Sequence, residues 1–394
     1  MYIRDPEALA TAIESLLTAR VVALDTEFMR ERTYFARLCL VQLATETETF
    51  LIDAIALKGR LEPLGQVLTA SGIIKVVHAG SQDVEILLQE TGSTIAPIFD
   101  TQIAATLAGF PTQVGYAQLV KDLLGEHVDK SDTFTDWSAR PLSETQLVYA
   151  EADVLHLSEV YRLLHERLVR EGRLGWLADD FERLADPATY LVDPREQYRR
   201  VKRASSLDRR SLAVLRELAA WRETEAQRRD TPKRWLISDE SLIEIARRRP
   251  ASSAELAGIR GVNDKVASRS ANAVLAAIRA GMAVPDEELP RLPKRDRVPA
   301  DAQPIADLLS AVLRLRAREH GVAPSLIASR DDLERFVSGD REGHPLSAGW
   351  RHTLAGAELA AIVDGSITVR VLNGKLALFP AAAPSVEGGG DGGA

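Results

Sequence analysis

The stretch that decides the fold is "RVVALDTEF", residues 20 to 28, an apolar run that ends in two acids. Its β-branched and aliphatic residues predict a buried strand. Successive side chains of a strand alternate between its two faces, so Asp25 and Glu27 project from the same face. Two like charges this close resist ionisation unless a positive group lies between them. The end of this strand is therefore a candidate cation site.

Short strand-like runs continue along the first hundred residues. "LCLVQLAT", "TFLIDAI" and "IIKVVHAG" follow the first run, and an amphipathic helical stretch, "SQDVEILLQE", follows the last of them. This alternation predicts a sheet with helices packed on it. From residue 101 onward helical spacing dominates, and strand-like runs nearly vanish until the end of the chain. We expect an α/β domain followed by a mostly helical region.

Composition narrows the class of protein. A chain of 394 residues with 45% hydrophobic and 27% charged residues is typical of a soluble protein with two or three domains. A single cysteine, Cys39, excludes an intramolecular disulfide and favours a reducing compartment. No signal peptide or membrane-length apolar run is visible, so we expect a cytoplasmic protein without a membrane span. The net charge of -8 means that any contact with nucleic acid must use local basic patches.

Two helical segments of the second half align with each other. The alignment of "LRELAAWRETEAQRRDTPKRWLISDESLIEIAR" with "LSAVLRLRAREHGVAPSLIASRDDLERFVSG" pairs Pro232 with Pro324 and Ser238 with Ser329. The paired serines are 91 residues apart (329 minus 238), too far for a solenoid repeat, and the interpretation is a duplicated helical domain. Each serine precedes acidic residues and is predicted to cap the start of a helix.

Further carboxylates that fit a cation site occur later in the α/β region. In "VVHAGSQDVEILLQE" a strand is predicted to end near His78, and Ser81 is a predicted N-cap that places Asp83 in the first helical turn. Tyr149 and Asp153 are four residues apart and share one helix face. Taken singly, Asp83 fits a helix-dipole acid and Tyr149 a packing residue. Together with the two strand acids they form the oxygen-rich ligand set that Mg²⁺ or Mn²⁺ prefers.

These motifs together resemble those of a known nuclease superfamily. "LDTEF", "HAGSQDVEIL" and "YAEADVLHL" are similar to the three motifs of the DEDD exonucleases. Val148 stands where the histidine branch has His, so the tyrosine branch fits. The segment "DKSDTFTDWSARPLSETQLVYAEAD" is similar to the ribonuclease D family, whose HRDC modules the two helical copies resemble. The resemblance implies an α/β ribonuclease H-like exonuclease domain, a mixed sheet flanked by helices, followed by two small all-α HRDC-like domains.

The resemblance and the pattern changes give expected domain limits. The second helical copy is divergent, because it carries "SLI" where the first has the basic "KRW". The expected order is an exonuclease domain at 1–175, a helical and basic linker at 176–204, a first HRDC-like domain at 205–284, a Pro-rich linker at 285–304, a second HRDC-like domain at 305–379 and a disordered tail at 380–394.

The resemblance also implies an activity. It predicts a 3′-to-5′ exoribonuclease that trims structured RNA such as tRNA precursors and releases 5′ nucleoside monophosphates. Two divalent metal ions, Mg²⁺ or Mn²⁺, are implied, held by Asp25, Glu27, Asp83 and Asp153. In the family's arrangement Asp25 contacts both ions, Glu27 and Asp153 hold the one that activates water, and Asp83 acts through the water shell of the other. Tyr149 is implied to orient the attacking water. A monomer is the default expectation.

Candidate substrate contacts and candidate basic residues occur near these motifs and after them. The candidate substrate contacts are Phe28, Met29, His78, Trp137 and Arg140. Each could instead have a purely structural role, as a core residue, as a histidine whose hydrogen bonds are made within the protein, or as a residue that anchors a loop. The basic candidates lie between the domains and in the first helical copy, where they fit either a phosphate-tracking strip or a solvated helix face. They are Arg199, Arg200, Lys202, Arg203, Arg228, Arg229, Lys233 and Arg234.

Two alternative functions remain open from the residues. A 3′-to-5′ DNA exonuclease would use the same acids, because no identified residue reads the 2′ hydroxyl that separates RNA from DNA. A non-catalytic RNA-binding scaffold would keep the fold without turnover. The intact acidic set argues against the scaffold.

Overall fold

The computed structural model describes residues 1–128, 135–262, 268–292 and 302–381. Parts of four predicted features lie outside these described residues. They are residues 129–134 of the segment before the third motif, residues 263–267 of the expected first HRDC-like domain, residues 293–301 of the expected Pro-rich linker and residues 382–394 of the expected tail.

A six-stranded mixed sheet forms the first part of the chain. Its strands are β1 (Tyr2–Ile3), β2 (Val21–Met29), β3 (Arg37–Ala44), β4 (Thr49–Asp53), β5 (Ile74–Val77) and β6 (Ile98–Asp100), in the order β1-β4-β3-β2-β5-β6. The pairs β2–β3 and β3–β4 are antiparallel, whereas β1–β4, β2–β5 and β5–β6 are parallel. The predicted strands and the mixed sheet are confirmed, and β2 lies inside the sheet with a neighbour on each side.

The part of the chain that forms the sheet also contains helices. They are α1 (Pro6–Leu16), α2 (Gly65–Leu68), α3 (Ser81–Thr91), α4 (Thr101–Leu107), α5 (Tyr116–Leu124), α6 (Glu144–Leu155) and α7 (Leu157–Arg170), with a 3-10 turn at Glu62–Leu64. Helix α6 begins at a capping box, in which the Ser143 hydroxyl accepts from the Gln146 amide and the Gln146 side chain accepts from the Ser143 amide. Because α6 packs on β2, β3 and β4, it brings its residues over the acidic end of β2.

The start of α3 differs from its prediction. Ser81 was expected to be the N-cap, but it is the first helical residue, and Gly80 occupies the cap position without a side-chain cap. The carboxylate of Asp100, at the end of β6, accepts from the amides of Ala79 and Gly80. The turn is therefore held by a residue from a neighbouring strand, a long-range contact that local sequence does not reveal.

A helical region follows the sheet domain. It contains α8 (Ala178–Ala185), α9 (Arg209–Arg228), α10 (Lys233–Leu236), α11 (Asp239–Arg248), α12 (Ser253–Ala257) and α13 (Ala271–Met282), with 3-10 turns at Leu174–Leu177, Pro187–Tyr190, Pro194–Arg200, Ala204–Ser206 and Asp286–Glu288. The predicted Ser238 cap is confirmed, since its hydroxyl accepts from the Ser241 amide. Helices α9 and α13 approach closely at Gly281, where a Cβ would lie 2.4 Å from the Cα of Val214.

The last region repeats the same order of helices. It contains α14 (Ala302–Glu319), α15 (Pro324–Ile327), α16 (Arg330–Val337), α17 (Gly349–Arg351) and α18 (Ala357–Val363), with a 3-10 turn at Pro345–Ser347 and a π-helical turn at His352–Gly356. A long helix, a four-residue helix and a capped helix recur as in the first copy. The predicted Ser329 cap is confirmed, because its hydroxyl accepts from the Asp332 amide.

This region ends in a hairpin that the expected all-α copy did not include. Strands β7 (Ile367–Leu372) and β8 (Lys375–Pro380) pair in antiparallel fashion around Asn373 and Gly374. Both turn residues have positive φ, the conformation that a two-residue hairpin turn requires. The Asn-Gly pair between two β-prone runs was the sequence signal for this hairpin.

The chain divides into two compact units. The first comprises Met1–Thr101, Val120–Tyr161 and Asp180–Lys294, and the second comprises Gln102–Leu119, Arg162–Asp179 and Arg295–Ala394. The sheet and the first helical copy thus belong to one unit. Within the described part of the chain, no helix has both the length and the apolar character needed to cross a membrane.

Candidate active site

Three of the predicted acids meet at the end of β2. Asp25, Glu27 and Asp153 each offer a carboxylate oxygen, and these oxygens lie within 4.8 Å of one another. All three residues are partly exposed, so solvent reaches them. Asp25 and Glu27 come from one strand and Asp153 from α6, and the packing of α6 on β2 joins them.

The local structure of β2 explains how it presents two acids. Asp25 lies opposite Gln42 of β3, and Glu27 lies opposite Leu40, so both acids share the face that α6 covers. The register shifts between Glu27 and Phe28, which marks a β-bulge. Bulges redirect side chains where a sheet carries a functional site.

Asp83 lies beside this group, held more deeply. Its side chain is 7% exposed and accepts a hydrogen bond from the Thr26 hydroxyl. It is close enough to Asp25 for its negative charge to raise the pKa of Asp25. Asp83 is not one of the three residues whose oxygens converge, which distinguishes it from Asp25, Glu27 and Asp153.

The pKa of every acid in the cluster is raised. Burial, then the charges of Asp83, Asp153 and Glu27, hold the pKa of Asp25 well above its usual range. Burial and the neighbouring carboxylates raise the pKa of Glu27 to about 8. Burial raises the pKa of Asp153 to about 7, and that of Asp83 to about 6. A cation among the oxygens would reverse these shifts, because it favours the ionised forms.

The donor set fits a hard divalent cation. Carboxylate oxygens are the ligands that Mg²⁺ and Mn²⁺ prefer, and the site offers three converging carboxylates with a fourth beside them. The influences that raise the pKa of Asp25 are burial and other carboxylates. An acidic cluster of this kind is stabilised by a bound cation.

Tyr149 accompanies the acids on α6. Its hydroxyl is hydrogen-bonded to the Asp153 carboxylate, which partly offsets the rise in the pKa of Asp153. Its ring centroid lies 6.0 Å from that of Trp137. The predicted one-turn spacing therefore brings the phenol and the acid into direct contact.

The remaining predicted substrate residues lie in different surroundings. Phe28 and Met29 are half-buried, and Met29 packs against a cluster of buried residues that includes Cys39 and Trp137. The Nδ1 atom of His78 lies 2.9 Å from the Thr101 hydroxyl, a contact that fits the structural reading of this histidine.

Trp137 and Arg140 have structural partners that account for them. Trp137 is 3% exposed and belongs to the same buried cluster as Cys39, which favours its reading as a loop anchor. The Arg140 guanidinium makes two hydrogen bonds of 2.8 Å to the Asp53 carboxylate and also donates to the carbonyls of Cys39, Trp137 and Ala139. With its donors engaged in this way, Arg140 clamps the loop instead of facing a substrate phosphate.

The predicted basic patch separates into paired and unpaired groups. Arg199 pairs with Glu196, Arg228 and Arg229 with Glu225, and Lys233 with Glu223. Within the described ranges, four members make no ion pair; they are Arg200, Lys202, Arg203 and Arg234. The basic candidates from Arg199 to Arg203 do not lie on one helix face, because this part of the chain forms short 3-10 turns at Pro194–Arg200 and Ala204–Ser206.

Sequence reasoning missed three residues around the site. Thr26 binds Asp83 from within the first motif, and Asp100 holds the turn before α3. Gln42 lies opposite Asp25, and both polar atoms of its side chain are buried without a hydrogen-bond partner in the described part of the chain. Of these three residues, only Thr26 could have been placed from the sequence. The alternation of side chains along β2 puts Thr26 on the face opposite to Asp25 and Glu27.

Family models match two parts of the chain. Residues 1–169 match the model described as 3′-5′ exonuclease, which covers the sheet and the acidic cluster. Residues 211–278 match the HRDC domain model, which covers the first helical copy.

Curated relatives match over nearly the whole length. The chain is 46% identical over 382 residues to the ribonuclease D of Gluconacetobacter diazotrophicus, and the match covers 97% of each chain. It is 44% identical to the ribonuclease D of Granulibacter bethesdensis over 93% of each chain. Among solved structures, Escherichia coli RNase D, an exoribonuclease involved in structured RNA processing, matches with a TM-score of 0.81 and 30% identity, covering 93% of this chain and 98% of that one.

Proposed function

This chain belongs to the ribonuclease D family of 3′-5′ exoribonucleases, and from that premise we propose that it trims the 3′ ends of structured RNA, such as tRNA precursors, with two divalent metal ions held by its acidic cluster. The observation that supports the proposal most directly is the convergence of Asp25, Glu27 and Asp153 within 4.8 Å. We further propose that the protein is cytoplasmic, in keeping with its single buried, free cysteine, and that it is a monomer.

Each residue has a distinct part in the proposed reaction. Asp25, Glu27 and Asp153 would hold the ions, and Asp83, fixed by the hydrogen bond from Thr26, would add a fourth carboxylate beside them. Divalent ions bound there would supply charge stabilisation for the scissile phosphate and would lower the pKa of a bound water. The Tyr149 hydroxyl, which is hydrogen-bonded to Asp153, orients the attacking water beside that carboxylate.

The test uses a 5′-labelled RNA with an unpaired 3′ tail and the matching DNA, each with Mg²⁺ or EDTA. Wild type is compared with Asp153→Asn and with a control, Glu151→Gln, which alters an exposed acid on the same helix. We expect a ladder that shortens from the 3′ end of the RNA with wild type and the control. EDTA and Asp153→Asn should abolish it.

Other outcomes would select the alternatives. Cleavage of the DNA alone would identify a DNA exonuclease with the same acids. RNA binding without cleavage under any divalent metal would identify a scaffold. Intact cleavage by Asp153→Asn would remove Asp153 from the metal site.

A further inference from the structure

An open groove lies beside the acidic site within the first compact unit. Its volume is about 860 Å³, and four segments line it: the loop after β2, the outer side of α3, residues 189–200 and the start of α10. The converging acids Asp25, Glu27 and Asp153 are not among its lining residues. The groove is therefore a separate site that joins the sheet domain to the first helical copy.

Positive charge dominates the groove. Four cations line it against two acids, and the two groups are Arg30, Arg200, Lys233 and Arg234 against Glu31 and Glu85. Arg30 pairs with Glu85, and Lys233 pairs with Glu223. Arg200 and Arg234 are exposed, and neither makes an ion pair or side-chain hydrogen bond within the described ranges. Two guanidinium groups are thus available for an anionic ligand.

An aromatic ring stands among these cations. Trp235 is 59% exposed, although it is next to the buried Leu236 on α10. Leu191, 76% exposed, also lines the groove. Tryptophan is usually largely buried, so an exposed ring in a groove that two exposed guanidinium groups also line marks a binding surface. An aromatic face beside cations is the combination that binds bases and phosphates of single-stranded nucleic acid.

Polar contacts hold the walls of the groove together. The hydroxyl of Tyr34, from the loop after β2, donates to Glu223, which is 1% exposed. The Asp230 carboxylate accepts from the amides of Tyr34 and Phe35, each at 3.0 Å. Because these contacts link the loop to α9 and the turn before α10, the groove is formed before any ligand binds. A preformed site loses less entropy on binding.

The groove lies across α3 from the acidic site. Ser81 and Glu85 line it, whereas Asp83, on the same helix, is buried against Thr26. Positions 81 and 85 share a helix face, and position 83 points to the other side. A helix with its side chains is about 10 Å across, so the separation is about one helix diameter. A few nucleotides of extended RNA span that distance.

We propose that this groove binds the single-stranded RNA segment upstream of the 3′ end being cleaved, with a base stacked on Trp235 and phosphates paired with Arg200 and Arg234. The inference rests on the proposed function for the identity of the ligand. It assigns the first helical copy a direct part in holding substrate. It also predicts that RNA too short to reach the groove gains nothing from these residues.

The test measures binding of labelled single-stranded RNAs of increasing length to the Asp153→Asn protein, which keeps the RNA intact. Trp235→Ala and Arg234→Glu are compared with Trp235→Tyr, which keeps a stacking ring, and with Arg248→Glu, an exposed arginine of the same helical copy outside the groove. Loss of one stacked base weakens binding about 5- to 150-fold. Loss of one phosphate contact lowers the slope of log K against log salt by about 0.7.

The expected pattern depends on RNA length. Trp235→Ala and Arg234→Glu should weaken binding of long RNA and leave the shortest RNA unaffected, and the two comparison variants should bind as the parent does. Equal binding by all variants at every length would overturn the proposal, as would equal loss on short and long RNA. If the Asp153→Asn protein binds RNA in this pattern but the wild-type protein cleaves no RNA with any divalent metal, the groove assignment would stand and the proposed function would be refuted.

Discussion

Tyr149 and Asp153 lie one turn apart on α6, and the Tyr149 hydroxyl is hydrogen-bonded to the Asp153 carboxylate. The contact joins the residue proposed to orient water to a residue proposed to hold metal. The hydrogen bond also lowers the pKa of Asp153, whereas burial raises it by a larger amount. We therefore expect Tyr149 to influence the protonation of Asp153 as well as the orientation of the attacking water.

Tyr149→Phe tests that role. The ring that faces Trp137 is kept, so Tm should not change, whereas the hydroxyl is lost. We expect kcat to fall about 10- to 100-fold, with little change in KM. This loss is at the lower end of, or smaller than, the contribution that a general acid or base usually makes to the rate. Loss of the hydrogen bond should also raise the pKa of Asp153 in the metal-free protein, so protons should compete better with Mg²⁺ and the pH–rate profile at limiting Mg²⁺ should move to higher pH. A fall in Tm with an unchanged profile would indicate a packing role only.

Asp153→Asn should stabilise the metal-free protein while it abolishes cleavage. The side chain of Asp153 is crowded by carboxylates, and its charge raises the pKa of Asp25 and Glu27. Removing one charge relieves this repulsion, and asparagine can still accept from Tyr149. We expect the Tm in EDTA to rise by a few degrees, measured by calorimetry, with Glu151→Gln unchanged as the control. A lower Tm would show that Asp153 stabilises the fold by other contacts.

Stability should depend on pH and metal together. The pKa values of Glu27, about 8, and Asp153, about 7, are higher in the folded protein than in the unfolded chain, where carboxyl groups titrate near 4. Between about pH 4 and 8 the folded metal-free protein therefore binds more protons, and its stability falls as pH rises. Mg²⁺ competes with these protons, so the increase in Tm on adding Mg²⁺ should be larger at pH 8 than at pH 6.

The same scan on a variant separates this site from weak surface binding. Asp25→Asn should lose most of the Mg²⁺-dependent rise in Tm at both pH values. A rise that is larger at pH 6, or equal in wild type and Asp25→Asn, would contradict the assignment of the acids to a cation site.

Arg140→Lys should lower stability more than substrate affinity. The guanidinium of Arg140 bridges Asp53 and three carbonyls, and lysine cannot reproduce this planar, bidentate arrangement. Asp53 is 1% exposed, and lysine would keep a positive charge near it while losing the paired hydrogen bonds. We expect the free energy of unfolding to fall by about 2–4 kcal/mol, measured with urea, and KM for RNA to stay within about twofold. A large rise in KM at unchanged stability would restore the predicted phosphate contact.

Local patterns predicted much of the fold. The strand before Asp25 and the helix of Tyr149 and Asp153 follow from residue periodicity, and the caps at Ser238 and Ser329 follow from side chains that bond their own helix. The prediction of Ser81 as an N-cap was wrong, because Asp100, distant in sequence, holds that turn. The hairpin at Asn373 and Gly374 was missed although its signal is local.

The sequence by itself determined which side chains share a face of one strand or helix, since the backbone periods of two and 3.6 residues fix this. It therefore placed Asp25 with Glu27, and Tyr149 with Asp153. Only the tertiary structure decided that Asp153 meets the strand acids, that Arg140 is bound to Asp53, and that Trp235 and Arg234 border a groove with Arg30. Those relationships join residues far apart in the chain, and they depend on how the elements pack, which no local period specifies.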